Sequence, residues 1–148
     1  MTDKQPSKII AETSPSIQTH LGMLQGVIER MASNSNFAKA WCITIVSAIL
    51  VVVADKDKPD YALLALLPTI LFMALDAYYL GMEKGFRNSY NDFIKKLHEG
   101  NLTLDDLFCV SPRGGSSKLQ GEAFKSFSVW GFYFVLIALI VIARNFVL

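Results

Sequence analysis

Net charge, cysteine and histidine are all scarce in this chain, and each shortage removes a class of chemistry. The 148 residues carry a formal net charge of +1. That leaves no concentrated basic face to neutralise a phosphate backbone, and it argues against a nucleic-acid partner. There are 2 cysteines, Cys42 in an apolar block and Cys109 in a charged loop. Neither stands in a C-x-x-C or metal-ligand spacing, so both read as free thiols. The 2 histidines, His20 and His98, fall on separate amphipathic stretches without clustered carboxylates, and each reads as a solvated or partly packed residue. Ser116 and Ser117 lack the frame of a nucleophilic serine. The run from Arg113 to Lys118 could fold into a backbone nest for an anion, but it has no P-loop spacing and reads first as a flexible linker. No cofactor and no enzymatic activity are expected. The N-terminus is basic but has no apolar core before a cleavage site, so no signal peptide is expected.

Apolar residues, by contrast, are abundant. They make up 52% of the chain, give a mean hydropathy of +0.36, and are clumped into three blocks rather than spread with amphipathic periodicity. From Tyr61 to Met82 the only charge is Asp76, and the run exceeds the roughly 18 to 20 apolar residues that carry a helix across a bilayer. Similar runs cover residues 37–54 and 127–147. The expected fold is therefore an all-α integral membrane protein with three transmembrane helices, an N-terminal amphipathic helix and a short helical cytoplasmic region. Its divisions are 1–36, an N-terminal cytoplasmic segment; 37–82, a transmembrane hairpin; 83–126, a cytoplasmic helical region and linker; and 127–148, the third span.

The polar parts carry their own patterns. Ser14 or Ser16 beside Pro15 offers a helix start, followed by a stripe of Ile17, Leu21, Leu24, Ile28 and Met31. That stripe suits packing on its own subunit, an interfacial position, or pairing with a partner helix. The polar segment 33–36 is expected to break the pattern before the first span, where Lys39 snorkels and Trp41 anchors at the interface. The charged turn 55–60 returns the chain antiparallel, and Pro68 is expected to kink the second span. Beyond Met82, the residues Phe86, Tyr90, Phe93, Ile94 and Leu97 extend the helix into water until Gly100. Thr103 and Asp106 start a short helix over about 104–109, and 111–121 reads as the flexible part of the loop.

Lys and Arg are asymmetric. Lys4, Lys8, Arg30, Lys39, Lys84, Arg87, Lys95, Lys96, Arg113, Lys118 and Lys125 fall on one side, against Lys56, Lys58 and Arg144 on the other. The positive-inside rule then places the N-terminus and the long loop in the cytoplasm and the C-terminus in the periplasm of a multi-pass inner-membrane protein. Arg87, Lys95, Lys96, Arg113 and Lys118 are the candidate cytoplasmic surface for a signal or partner.

Asp76 is the candidate site inside the membrane, where a carboxylate costs several kcal/mol unless it is paired or wet. Counting helical rise places Thr44 and Tyr133 at its depth, so those hydroxyls, or Lys39, could hold it. A polar clamp, a pore-lining or proton-binding group, and simple water exposure all remain open. Tyr78 and Tyr79 read as interfacial anchors.

The stretch from Leu21 to Leu97, an amphipathic helix, a hairpin of two spans with a short turn and a helical cytoplasmic extension, resembles the SLATT-type small membrane proteins of bacterial nucleotide-signalling and defence systems. The third span departs from their two-span layout. The resemblance implies a homo-oligomer in the lipid bilayer that perturbs the inner membrane on a cytosolic partner or nucleotide signal, in antiphage defence. The alternative is a non-catalytic membrane scaffold that recruits a cytosolic partner. At 16.4 kDa, three spans are too few to enclose a conduit alone, which also favours a homo-oligomer.

Overall fold

The computed structural model describes residues 14–56 and 58–147, so the first thirteen residues, with Lys4 and Lys8, lie outside it. All regular structure among the described residues is helical. Helix α1, Pro15–Asp55, is 41 residues long, about 60 Å at 1.5 Å per residue. Pro15 opens it where a missing N–H costs nothing. The polar segment 33–36, which interrupts the amphipathic pattern, stays within the helix. Each Ser or Asn there costs only some tenths of a kcal/mol against a good helix former, and the helix on both sides is packed.

A 3-10 segment, Pro59–Ala65, turns the chain back and feeds α2, Leu66–His98. Pro68 stands at the start of α2 rather than in its interior. It falls in the first turn, where the N–H groups have no intrahelical acceptor. Thr69 Oγ1 donates back to Ala65 O, one turn earlier, at 2.7 Å. At the far end, Gly100 takes φ 69 and the Asn101 N–H returns to Lys96 O at 3.0 Å, a glycine-closed C-terminus.

The expected helix over 104–109 shrinks to one 3-10 turn, Leu104–Asp106, capped reciprocally by Thr103 and Asp106. Phe108, at φ 62, leaves helical space. Conversely, the expected linker contains a helix, α3, Ser116–Phe124. Leu119 and Ala123, one turn apart, give it a buried edge over α2, and Gly81 and Gly85 of α2 leave room for that approach. Helix α4, Phe127–Ile142, ends in a π-helical turn, Ala143–Val147, where Arg144 pairs with Asp60 at 2.7 Å.

Helix α2 is the axis. Helix α1 lies along it, α3 and α4 pack on it as well, and α1 meets α4 mainly through side chains. The core of the apolar half is Cys42, Val46, Ala65, Ala77, Ala123, Val129, Tyr133, Leu136 and Ile140. Three helical stretches, within Pro15–Asp55, Pro59–His98 and Phe127–Asn145, are long and apolar enough to cross a membrane. Their outer faces, with Trp41, Val51, Leu67, Leu71 and Phe134 exposed, have the composition that lipid requires.

Candidate functional site

Two polar constellations bridge α1 and α2, one inside the apolar half and one in the polar half. In the first, Lys39 Nζ lies 2.7 Å from Oδ2 of Asp76 and donates to Oδ1 at 2.8 Å. Oδ2 takes only the ion-pair contact and no hydrogen bond. Ser35 Oγ also donates to Oδ1. Ser35 and Lys39 are one helical turn apart, so they present to α2 together. Asp76 is 0% exposed, and the Lys39 side chain retains 16%. The buried carboxylate is thus paired, which is the condition for holding one in apolar surroundings.

Of the groups placed at this depth by helical rise, the structure brings Lys39 to Asp76 and leaves Thr44 out. Thr44 is exposed and donates back to Ala40 O at 3.0 Å. Five residues beyond Lys39, it points about 140° away around the helix. Tyr133 is buried in the cluster with Cys42 and Ala77, but its hydroxyl has no hydrogen-bond partner. Rise alone fixes depth; the 100° rotation per residue fixes direction. That rotation would have flagged Ser35, on the Lys39 face, which the sequence reading treated only as part of the polar segment 33–36.

The second constellation is a strap, Glu99–Gly115, that runs from the end of α2 across both long helices to α3. Leu102 is buried with Ile17 and Phe93. Lys96 Nζ donates to Asp106 Oδ1 at 2.6 Å, and the Asp106 Oδ2 accepts from Thr103 N–H and Oγ1. The Lys96 hydrogen bond is the main reason that the Asp106 carboxyl is held below its usual range, against the opposing effect of burial. Ser89 Oγ donates to Ser111 O at 2.6 Å, Arg113 pairs with Asp92, and the Arg113 N–H bonds Gly85 O at 2.9 Å.

His20 is buried rather than solvated, at 2% exposed. Its ring packs on Phe93 with centroids 4.3 Å apart, and Nδ1 accepts from Phe108 N–H at 2.9 Å. Burial pushes its pKa down, with Asp106 pulling the other way. The expectation failed because the face of α1 that carries Ile17 and Leu24 also carries His20, and the strap covers it.

The basic residues expected to form a cytoplasmic surface are mostly neutralised. Arg87 pairs with Glu83 at 2.7 Å, Lys96 with Asp106, Arg113 with Asp92, and Lys95 approaches Glu99 at 3.9 Å. Lys118 alone of the five is in no ion pair among the described residues. Among those residues no group of three or more His, Cys, Asp or Glu side chains is placed to hold a metal ion. Comparisons with family models, curated proteins and solved structures find no match.

Proposed function

We propose that the protein is a non-enzymatic, homo-oligomeric effector of the inner membrane, channel-like in action, whose cytoplasmic arms pass a signal to its spans. The observation that carries this reading is continuity. Helices α1 and α2 each run without a break from a polar half into an apolar half, so displacing the arms moves the spans. The Lys39–Asp76 pair lies near the crossover, where relative motion of the two helices must stretch it. Oligomerisation supplies the walls that three spans cannot. The N-terminus lies in the cytoplasm and the C-terminus in the periplasm, as the Lys and Arg asymmetry requires. Antiphage defence is the setting that the SLATT-like layout suggests.

Controlled expression with a potential-sensitive dye tests the effector, and fusions of a cytoplasm-active and a periplasm-active reporter to each end test the orientation. Depolarisation together with a detergent-resistant oligomer supports the reading. A stable monomer, or full membrane potential at high expression, overturns it.

A second reading, a scaffold that recruits a cytosolic partner, is favoured by one observation: Asp76 is enclosed between helices of a single chain and faces no lumen. It predicts unchanged membrane potential and co-purification of a cytosolic protein that is lost when the strap is altered.

A further inference from the structure

The strap meets α1 through a contact whose donor is fixed and whose acceptor titrates. Phe108 N–H donates to His20 Nδ1 at 2.9 Å. An amide N–H can only donate, so Nδ1 must be bare and the ring neutral, with its proton on Nε2. A second proton would have to go on Nδ1, turning the bond into a donor facing a donor. Phe108 is at φ 62, a left-handed conformation that a bulky side chain adopts only when held there. Its own side chain is 55% exposed and contributes little packing to hold it. The His20 bond restrains this turn of the strap at Phe108, next to Leu107, which packs against the Ile17, Phe93 and Leu102 cluster.

We infer that His20 and Phe108 form a proton-released latch: cytoplasmic acidification protonates His20, and the segment 108–110 lets go of α1. The strap stays tethered on both sides of that segment, by Leu102 and the Thr103–Asp106–Lys96 cluster before it and by Ser111 and Arg113 after it. The charged groups around the latch, among the described residues, are Lys96 from α2 and Asp105, Asp106 and Arg113 from the strap, with Asp92 of α2 behind Arg113 and the Cys109 thiol on the same small cavity of about 70 Å³. Among the described residues Lys96–Asp106 and Arg113–Asp92 are closed pairs, and Asp106 is the carboxylate whose charge favours an imidazolium at His20.

Burial outweighs that attraction in the closed form, where the His20 pKa is lowered. The open form, with the ring in water, therefore binds the proton more tightly. The latch is fully closed above pH about 6.5, the ordinary histidine value, and opens progressively as pH falls below it. Each unit of depression is worth about tenfold in the ratio of open to closed. The latch concerns the strap alone, so it stands or falls independently of whether the spans permeabilise a membrane.

Hydrogen exchange of the full-length protein in nanodiscs, normalised to the chemical exchange rate, reads the Phe108 amide directly. Between pH about 7.5 and about 5.5 its protection should fall, by up to roughly tenfold, the limit set by the one pH unit between the ordinary histidine value and pH about 5.5. In His20→Gln, whose Oε1 keeps an acceptor that does not titrate, protection should be the same at both values. Constant protection in the wild type, or the same loss in His20→Gln, overturns the latch. Should that variant misfold, NMR of the wild type decides. The Phe108 amide shift must titrate with the His20 ring, and an amide that is silent or follows His98 overturns the inference.

Discussion

Asp76 of α2 and Lys39 of α1, 37 positions apart in sequence, lie 2.7 Å apart, with Ser35 donating to the same carboxylate. The contact joins the two longest helices at a point where both are surrounded by apolar residues, so removing one partner leaves the other charge stranded.

Asp76→Leu should therefore lower stability by about 3–5 kcal/mol, the usual cost of breaking a buried pair, towards the lower end because Lys39 keeps some access to water. Replacing both residues, Lys39→Met with Asp76→Leu, should return stability to within about 1 kcal/mol of wild type. Thermal unfolding in a mild detergent measures the cycle. A double variant no better than Asp76→Leu would show that the loss does not come from the stranded ammonium.

Tyr133→Phe should leave the melting temperature unchanged or raise it. The Tyr133 hydroxyl is buried with no partner, and an unsatisfied buried polar group costs about 1–3 kcal/mol. A clear fall would mean that the hydroxyl is bonded in the assembled protein.

Two glycine substitutions should move stability in opposite directions. A Cβ at Gly85 would meet Pro112 Cβ at 2.8 Å and Leu119 Cδ1 at 3.1 Å, and the proline ring has little freedom to yield. Gly85→Ala should cost about 1–3 kcal/mol by overpacking and loosen the strap. Gly26, with nothing within 4 Å of its added Cβ, should instead gain up to about 1 kcal/mol as Ala from helix propensity. Paired melting curves check the contrast.

Asp106 sets the acid limit of the strap. Its pKa is lowered in the folded state, chiefly by Lys96, so the stability it supplies is complete above its ordinary value near pH 4 and is lost as pH falls through the folded value. Wild type should exceed Asp106→Asn in strap protection at neutral pH, and the gap should close below pH about 4. Hydrogen exchange across that range reads it, and a gap independent of pH would refute the assignment.

Much of the fold was legible because one-dimensional signals decide it. Run length specified three apolar helices, periodicity carried α2 past Met82 to His98, Gly100 marked its end, and Thr103 with Asp106 marked a cap. These features depend on neighbours within a turn or two, where sequence spacing is spatial spacing. The sequence also identified Asp76 as a carboxylate needing a partner, because the cost of burying charge does not depend on the fold.

Which partner it takes was decided by tertiary structure. That depends on the rotation of α1 against α2, which turns Ser35 and Lys39 inward and Thr44 outward. The same packing overrode the weak local preferences of 33–36 in favour of one unbroken helix, and it made a helix of 116–124 by giving Leu119 and Ala123 a surface to bury against. It also drew Lys96 and Arg113 into ion pairs and sealed His20 under the strap. A charge or a histidine carries no sequence mark of what will lie across from it, because that neighbour arrives through the fold.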